Sequence, residues 1–380
     1  MDFHFDTKAV RFPRKPKADT VSKVQPIYQT SAFVFEDLDD LESFYEGKKD
    51  YLYTRVSNPN TDDLGMGVAD LEGAPKGVAT SSGLSAILAG VLAVVKAGDH
   101  IVACEDLYGG TFSLFNGELP DFGIEVSFVD FTDSEKIENA IRPNTKLLYT
   151  ESVTNPLLRV EDLNLLKNLG QKHKLVTMVD NTFATPYLLQ PYLLGIDLVV
   201  HSATKYIGGH SDVTAGVLVG REDLMAKAKA KVINLGANLS PFEAWLGCRG
   251  LKTMSVRMDR HVKNAAILAS ELKTVKGIKN VYYPEYVAER GSGAMVSIEL
   301  DDEADVKTFF KSLGWVKIIP TLAGLDTTVS YPIATSHRTV PEDTRQKLGI
   351  NKQLIRISVG IENEIDIVEA FKSAVEKSLS

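Results

Sequence analysis

Between about Gly77 and Gly220 the chain alternates short β-branched runs with helical stretches, and no other feature restricts its fold so severely. HIVAC, IEVSFVD, KLLYTES, LVTMVDNT, DLVVHSATK and AGVLVG have the length and residue types of strands. SGLSAILAGVLAVVKAG and VEDLNLLKNLGQKH between them have helical length and spacing. This alternation predicts an α/β architecture with a mainly parallel central sheet covered on both faces. Ligands of such sheets sit beyond the carboxyl ends of the strands, and the polar clusters of this sequence lie at those ends.

A long helical stretch is expected from about Pro241 to Val275. After it comes a mixed tail containing GAMVSIEL, VKIIP and LIRISVG, which reads as a smaller C-terminal α+β domain. Residues 1–50, including KADTVSKVQPIYQTSAFVF, are polar at first and never patterned long enough to build a core. They are expected to form an arm lying on a neighbouring subunit. The organisation expected is thus an arm over 1–50, a large domain over 51–240 and a C-terminal domain over 241–380.

Charge and cysteine usage exclude several classes. Net charge is −8 over 380 residues and no Lys/Arg run exceeds a few residues, so the electrostatic footprint for nucleic acid or anionic lipid is missing. Partners are expected to be small molecules or further subunits. MDFHFDTKAVRFPRKPK lacks the apolar core of a signal peptide and no segment approaches a membrane span, which makes the cytoplasm the expected location. Cys104 and Cys248 lie far apart and outside any CxxC arrangement, against both a disulfide framework and a structural zinc site.

The chemistry concentrates where strands end. Asp180 follows LVTMV, and Ser202, Thr204 and Lys205 follow DLVV within HSATKYIGGHSD. Singly, each is an ordinary turn, cap or solvated residue. Together they supply a lysine able to form an imine, an acid for a protonated ring nitrogen and hydroxyls for a phosphate, the parts pyridoxal phosphate requires. Ser82, Gly83 and Leu84 open a helix directly after a strand, where free N–H groups and the positive helix end favour a phosphate. A plain serine N-cap explains the same string. His201 and His210 flank the lysine without a convincing set of partner ligands, so they read as packing residues and no metal is expected.

YTRVSNPN, SSGLSA, DLYGGTF, ESVTNP, VDNTFATP, HSATKYIGGHSD and LIRISVGIE occur in an order and spacing that resemble the cystathionine/methionine-metabolism family of pyridoxal phosphate enzymes over essentially the whole chain. The resemblance implies the aspartate aminotransferase-like, fold type I architecture of PLP-dependent transferases. It also implies that Lys205 holds the cofactor and later moves protons, that Asp180 pairs with the ring nitrogen, and that Tyr108 stacks on the ring and carries a proton. A buried aromatic beside two glycines is the other reading of Tyr108. Ser202 and Thr204, with Ser82, Gly83 and Leu84, would bind the phosphate, completed by Tyr53 and Arg55 from a second subunit. Arg356 would grip the substrate α-carboxylate, with Asn155 and the backbone around Thr321 nearby.

The same resemblance narrows the reaction. Methionine γ-lyases usually carry Cys where this chain has Gly110, and many bacterial β-lyases carry Trp where it has Leu322. Cystathionine enzymes tend to place acids at the positions of Leu52 and Asp326, so one acidic contact to a distal amino group is lost at Leu52. The reading implied is a carbon–sulfur lyase of sulfur amino acids, γ-elimination of cystathionine preferred and β-elimination possible, in a homotetramer of two active dimers. A γ-replacement transferase, either cystathionine γ-synthase or a homoserine-ester sulfhydrylase, is the alternative. A cofactor-binding regulatory protein with little turnover is a further one.

Overall fold

The computed structural model describes residues 3–11 and 22–380. Among the described residues, twelve strands form two sheets: β1 (Lys76–Thr80), β2 (His100–Cys104), β3 (Glu125–Val129), β4 (Thr145–Glu151), β5 (Val176–Asp180), β6 (Leu198–His201), β7 (Gly216–Gly220), β8 (Ile278–Tyr282), β9 (Met295–Leu300), β10 (Lys317–Ile318), β11 (Thr328–Ser330) and β12 (Leu354–Ser358). The large sheet has the order β1-β7-β6-β5-β4-β2-β3. Strands β6, β5, β4, β2 and β3 pair in parallel, and β7 alone runs against its neighbours β1 and β6. The expected mainly parallel α/β sheet is therefore present. Every residue of β2, β6 and β7 is buried, as strands covered on both faces must be.

The helices start and stop where local chemistry dictates. Ser82 caps the helix Gly83–Val94 by accepting the Ser85 N–H, and the helix's apolar sequence suits its burial against the sheet. Asp162 caps Leu163–His173, whose Leu163, Leu166 and Leu169 recur on one buried face. The stretch expected to be one long helix is two, Pro241–Leu251 and Met254–Leu272, separated at Lys252 and Thr253.

The second sheet, β10-β11-β12-β9-β8, is antiparallel except for its short β10–β11 pair. Its core combines Val296, Ile298, Ile355 and Ile357 with Leu268 and Leu272 and with Phe371 of the helix Glu364–Ser378. The first core extends along the 254–272 helix as far as Val262, and the second begins at Ala265. One helix thus serves both cores and fixes the small sheet over the ends of the large one. Among the described residues, no helix is long and apolar enough to cross a membrane.

Two parts of the expected 1–50 arm behave differently. Helix Phe5–Arg11 docks on its own subunit, with Ala9 buried in the large core and the Phe5 ring 5.8 Å from that of Tyr187. By contrast Val34 is 94% exposed and Leu38 80%, an apolar display that none of the described residues covers. Residues 12–21 of the arm lie outside the described residues.

The paired glycines after Lys205 have a packing reason. Gly209 adopts φ +72°, and a Cβ there would lie 2.0 Å from Nη1 of Arg257. That buried guanidinium donates to the carbonyls of Tyr206 (2.8 Å) and Gly250 (2.8 Å), clamping the lysine loop to the 254–272 helix. Gly209→Ala should combine positive-φ strain with loss of charged hydrogen bonds, lowering stability by about 2–4 kcal/mol. The urea midpoint of purified protein measures it, with Gly236→Ala, where a Cβ meets nothing within 4 Å, as the comparison carrying φ strain alone.

Candidate active site

Strands β1, β4, β5 and β6 deliver their last residues to one end of the large sheet, and β12 reaches toward it from the small sheet. Glu151 and Asp180 are directly opposite one another in the β4–β5 register. Asp180 Oδ1 accepts the Thr182 N–H (2.9 Å), and the Thr182 hydroxyl accepts the Ser202 N–H (2.8 Å), linking the strand ends. Burial raises the Asp180 carboxyl above the ordinary carboxylate range, which its hydrogen bonds from Thr182 only partly oppose.

The Lys205 Nζ donates to the Thr321 hydroxyl. Burial, with the charge of Arg356 second, lowers the lysine from its ordinary 10.5 to about 8. At neutral pH such an amine is neutral far more often than a surface lysine. Arg356 is 2% exposed; Nη1 donates to Asn155 Oδ1 (2.8 Å) and Nη2 to the Thr321 carbonyl (3.4 Å), while Nε is buried without a partner. Its hydrogen bonds thus go to neutral oxygens, and burial lowers it to about 10. A buried guanidinium so placed is completed by an anion.

Opposite Lys205, Ser82 and Gly83 open the Gly83–Val94 helix against the lysine loop. A Cβ on Gly83 would come within 2.8 Å of Ser202 Cβ, so glycine is what allows the helix end and Ser202 to meet. Leu84 is 40% exposed at the same helix end. Tyr108 is 43% exposed, which removes its reading as a buried aromatic. Its N–H is held by Glu151 Oε1 at 2.7 Å.

Other expected site residues are placed differently. The Thr204 hydroxyl donates to the Ala215 carbonyl (3.1 Å) and accepts the Ala215 N–H (3.0 Å). Tyr53 and Arg55 are exposed; the guanidinium lies 5.5 Å from the Tyr53 ring centroid and donates to the Ile233 carbonyl (3.3 Å), not to groups around Lys205. Leu52 is half-buried, its carbonyl accepting the Phe33 N–H at 3.0 Å. Asp326 is exposed and ion-paired with Lys317 on the edge strand β10.

Several contributors escaped sequence reasoning. Glu72, fully buried, accepts from His201 Nε2 (2.8 Å) and Asn181 Nδ2 (2.9 Å), tying together the residues next to Asp180 and Ser202. His337 is buried near Arg356; burial first, then that charge, lowers it to about 4, so it is a neutral imidazole. Glu72 and His337 carry no local motif. Glu151 did carry a signal, a carboxylate ending the strand beside that of Asp180.

These groups fit pyridoxal phosphate. Lys205 offers an amine for its aldehyde, Asp180 a half-buried carboxylate for its ring nitrogen, and the Ser82–Gly83 helix end with Ser202 a cradle for its phosphate.

The family model described as Cys/Met metabolism PLP-dependent enzyme matches residues 6–376. The chain is 40% identical over 363 residues to the cystathionine β-lyase of Lactococcus lactis subsp. cremoris, covering 93% of each. It is 36% identical over 376 residues to the cystathionine γ-synthase/O-acetylhomoserine (thiol)-lyase of Bacillus subtilis, covering 99% of this chain and 97% of that one. The crystal structure of cystathionine γ-lyase from Lactobacillus plantarum superposes with a TM-score of 0.93 at 35% identity, covering 99% of each chain.

The depressed lysine gives a direct test. In cofactor-free protein, Lys205 should react with an amine-selective reagent along a titration curve centred near pH 8, protonated and unreactive below, free above. Peptide mapping of labelled protein checks this against surface lysines, which should react only at higher pH.

Proposed function

The chain belongs to the Cys/Met metabolism PLP-dependent enzymes, and on that premise we propose that it cleaves the Cγ–S bond of cystathionine, releasing cysteine, 2-oxobutanoate and ammonia. It is a pyridoxal phosphate-dependent carbon–sulfur lyase; the choice of substrate and of bond is the proposal. The observation that supports amino-acid chemistry here is the buried Arg356, whose hydrogen-bond partners are neutral oxygens, beside the Lys205 amine; the choice of bond rests on Leu322 and Gly110.

When bound, the cofactor supplies an aldehyde that captures amines and a protonated ring that withdraws electrons from the substrate α-carbon. Asp180 holds the proton on the ring nitrogen. Arg356, braced by Asn155 Oδ1 and the Thr321 carbonyl, receives the substrate α-carboxylate and so fixes the α-carbon relative to Lys205. Lys205 Nζ removes the α-proton; its lowered pKa leaves a useful neutral fraction near pH 7. The Thr321 hydroxyl steadies Nζ. A sulfur on Cγ requires a second proton to leave Cβ first, and Lys205 Nζ and the Tyr108 hydroxyl are the groups available to move it.

Leu322 and Gly110, standing where β-lyases and methionine γ-lyases carry Trp and Cys, favour γ-elimination of cystathionine. β-Elimination is the second reading, favoured by the 40% identity to the Lactococcus enzyme. Cystathionine offered alone separates them: cysteine and 2-oxobutanoate support the proposal, homocysteine and pyruvate overturn it. O-acetylhomoserine with cysteine tests the transferase alternative, in which cystathionine and acetate appear. Arg356→Ala should reduce kcat/KM about 100-fold or more for every amino-acid substrate alike, since all present the same carboxylate.

We also infer a dimer as the smallest active unit, two of which form a tetramer working in the cytoplasm. Tyr53 and Arg55, exposed and away from their own Lys205, would complete the partner's phosphate site, and the exposed Val34 and Leu38 would be covered there. Mixing Arg55→Ala with Lys205→Ala protein should restore activity, because one site of each hybrid then holds both native residues. If labelled subunits exchange and no activity returns, the site is not shared.

A further inference from the structure

Glu151 has no part in the chemistry described above, although its surroundings are those of the site. It ends β4 directly opposite Asp180 at the end of β5, so both carboxylates leave the sheet at one end and on one face. It is 5% exposed, and Oε1 accepts the Tyr108 N–H at 2.7 Å. That N–H lies at the start of the short helix Gly109–Ser113, where no side chain caps the turn. Tyr108 itself projects outward, so the direction of its ring follows from its backbone. The backbone is confined on its other side, since a Cβ on Gly109 would lie 1.8 Å from the Ser336 carbonyl oxygen.

We propose that Glu151 is a positioning residue of the cofactor site, fixing Tyr108 over the ring position and forming with Asp180 a paired carboxylate that holds the cationic ring.

The charges facing Glu151 come from every element around it: Asp180 on β5, Asp106 in the loop after β2, Glu161 after β4, Tyr149 on β4 itself and Arg356 on β12. Arg159 pairs with Glu161 (3.0 Å) and Asp106 (3.9 Å), so the unpaired carboxyls at this end of the sheet are Glu151 and Asp180 themselves, with Arg356 the nearest remaining cation. Burial first, then the Asp180 charge, pushes the Glu151 carboxyl well above its ordinary value. A protonated ring held by Asp180 supplies a cation and makes it favourable for both carboxyls to ionise. The inference rests on the assignment of Lys205 and Asp180 to the cofactor.

Two substitutions separate the two roles. Glu151→Gln keeps an oxygen for the Tyr108 N–H but removes the charge, whereas Glu151→Asp keeps the charge and withdraws it by one methylene. Cofactor-free preparations of each, of wild type and of Lys205→Ala are titrated with pyridoxal phosphate, followed by fluorescence for Kd, by visible circular dichroism, and by the pH at which the visible band is lost. Glu151→Gln should raise Kd about tenfold and lower that pH by about one unit, because a nearby negative charge favours the protonated cofactor. Its circular dichroism per bound cofactor should stay near that of wild type. Glu151→Asp should hold the pH midpoint and lose at least half of the circular dichroism. The proposal is overturned if Glu151→Gln matches wild type in Kd and midpoint, or if Glu151→Asp keeps its full circular dichroism. Should Glu151→Gln not fold, the Glu151→Asp result decides. If wild type and Lys205→Ala give the same visible band, the lysine assignment itself fails and the proposal with it; a lysine-dependent band with unaltered Glu151 variants sinks only the role of Glu151.

Discussion

A buried arginine bonded across the two domains is the constraint on which the site depends. Arg356 belongs to the small sheet, yet its guanidinium donates to Asn155 from the end of the large sheet and to the carbonyl of Thr321. Those acceptors satisfy its geometry without neutralising its charge. A cation in that position is costly to bury, and the cost is tolerable because the 254–272 helix and both cores hold the two domains in register. Under the proposed reading the substrate carboxylate completes this half-satisfied cation, so binding energy is directed to the group that orients the α-carbon.

The remaining charges answer one another. Burial first and the Arg356 charge second lower Lys205, which favours a neutral amine; burial first and the Asp180 charge second raise Glu151. Cationic groups therefore occupy the side where a substrate acid would bind and acidic groups the side where a ring nitrogen would lie. Each like-charge neighbour shifts the other toward neutrality in a site that lacks ligand, and each ligand charge reverses that shift.

Much of this was legible before any coordinates. The β-branched runs fixed five of the parallel strands and the place of Asp180 and Lys205, because backbone periodicity and strand ends are local properties. Ser82 and Gly83 were readable for the same reason: a cap followed by glycine is written in consecutive residues. The break at Lys252–Thr253 was missed although Gly250 and Thr253 are weak helix formers; there the Gly250 carbonyl is taken by the Arg257 guanidinium (2.8 Å), a partner seven residues on. The bonds of the Thr204 hydroxyl to the Ala215 backbone were not legible, because that partner lies eleven residues away. Nor was the ion pair of Asp326 with Lys317, which forms across the edge of a sheet.

The sequence by itself determined the α/β class, the cofactor chemistry and which lysine and acid we assign to it, since these follow from periodicity and from short motifs whose residue types leave few alternatives. Only the tertiary structure decided which groups share an electric field. Glu151 beside Asp180, Glu72 beneath His201, Arg257 against Gly209 and Arg356 above Lys205 are pairs separated by tens to more than a hundred residues. Burial and Coulomb interactions act through space over a few ångströms, and chain separation says nothing about them until the sheet and the domain contact bring the partners together.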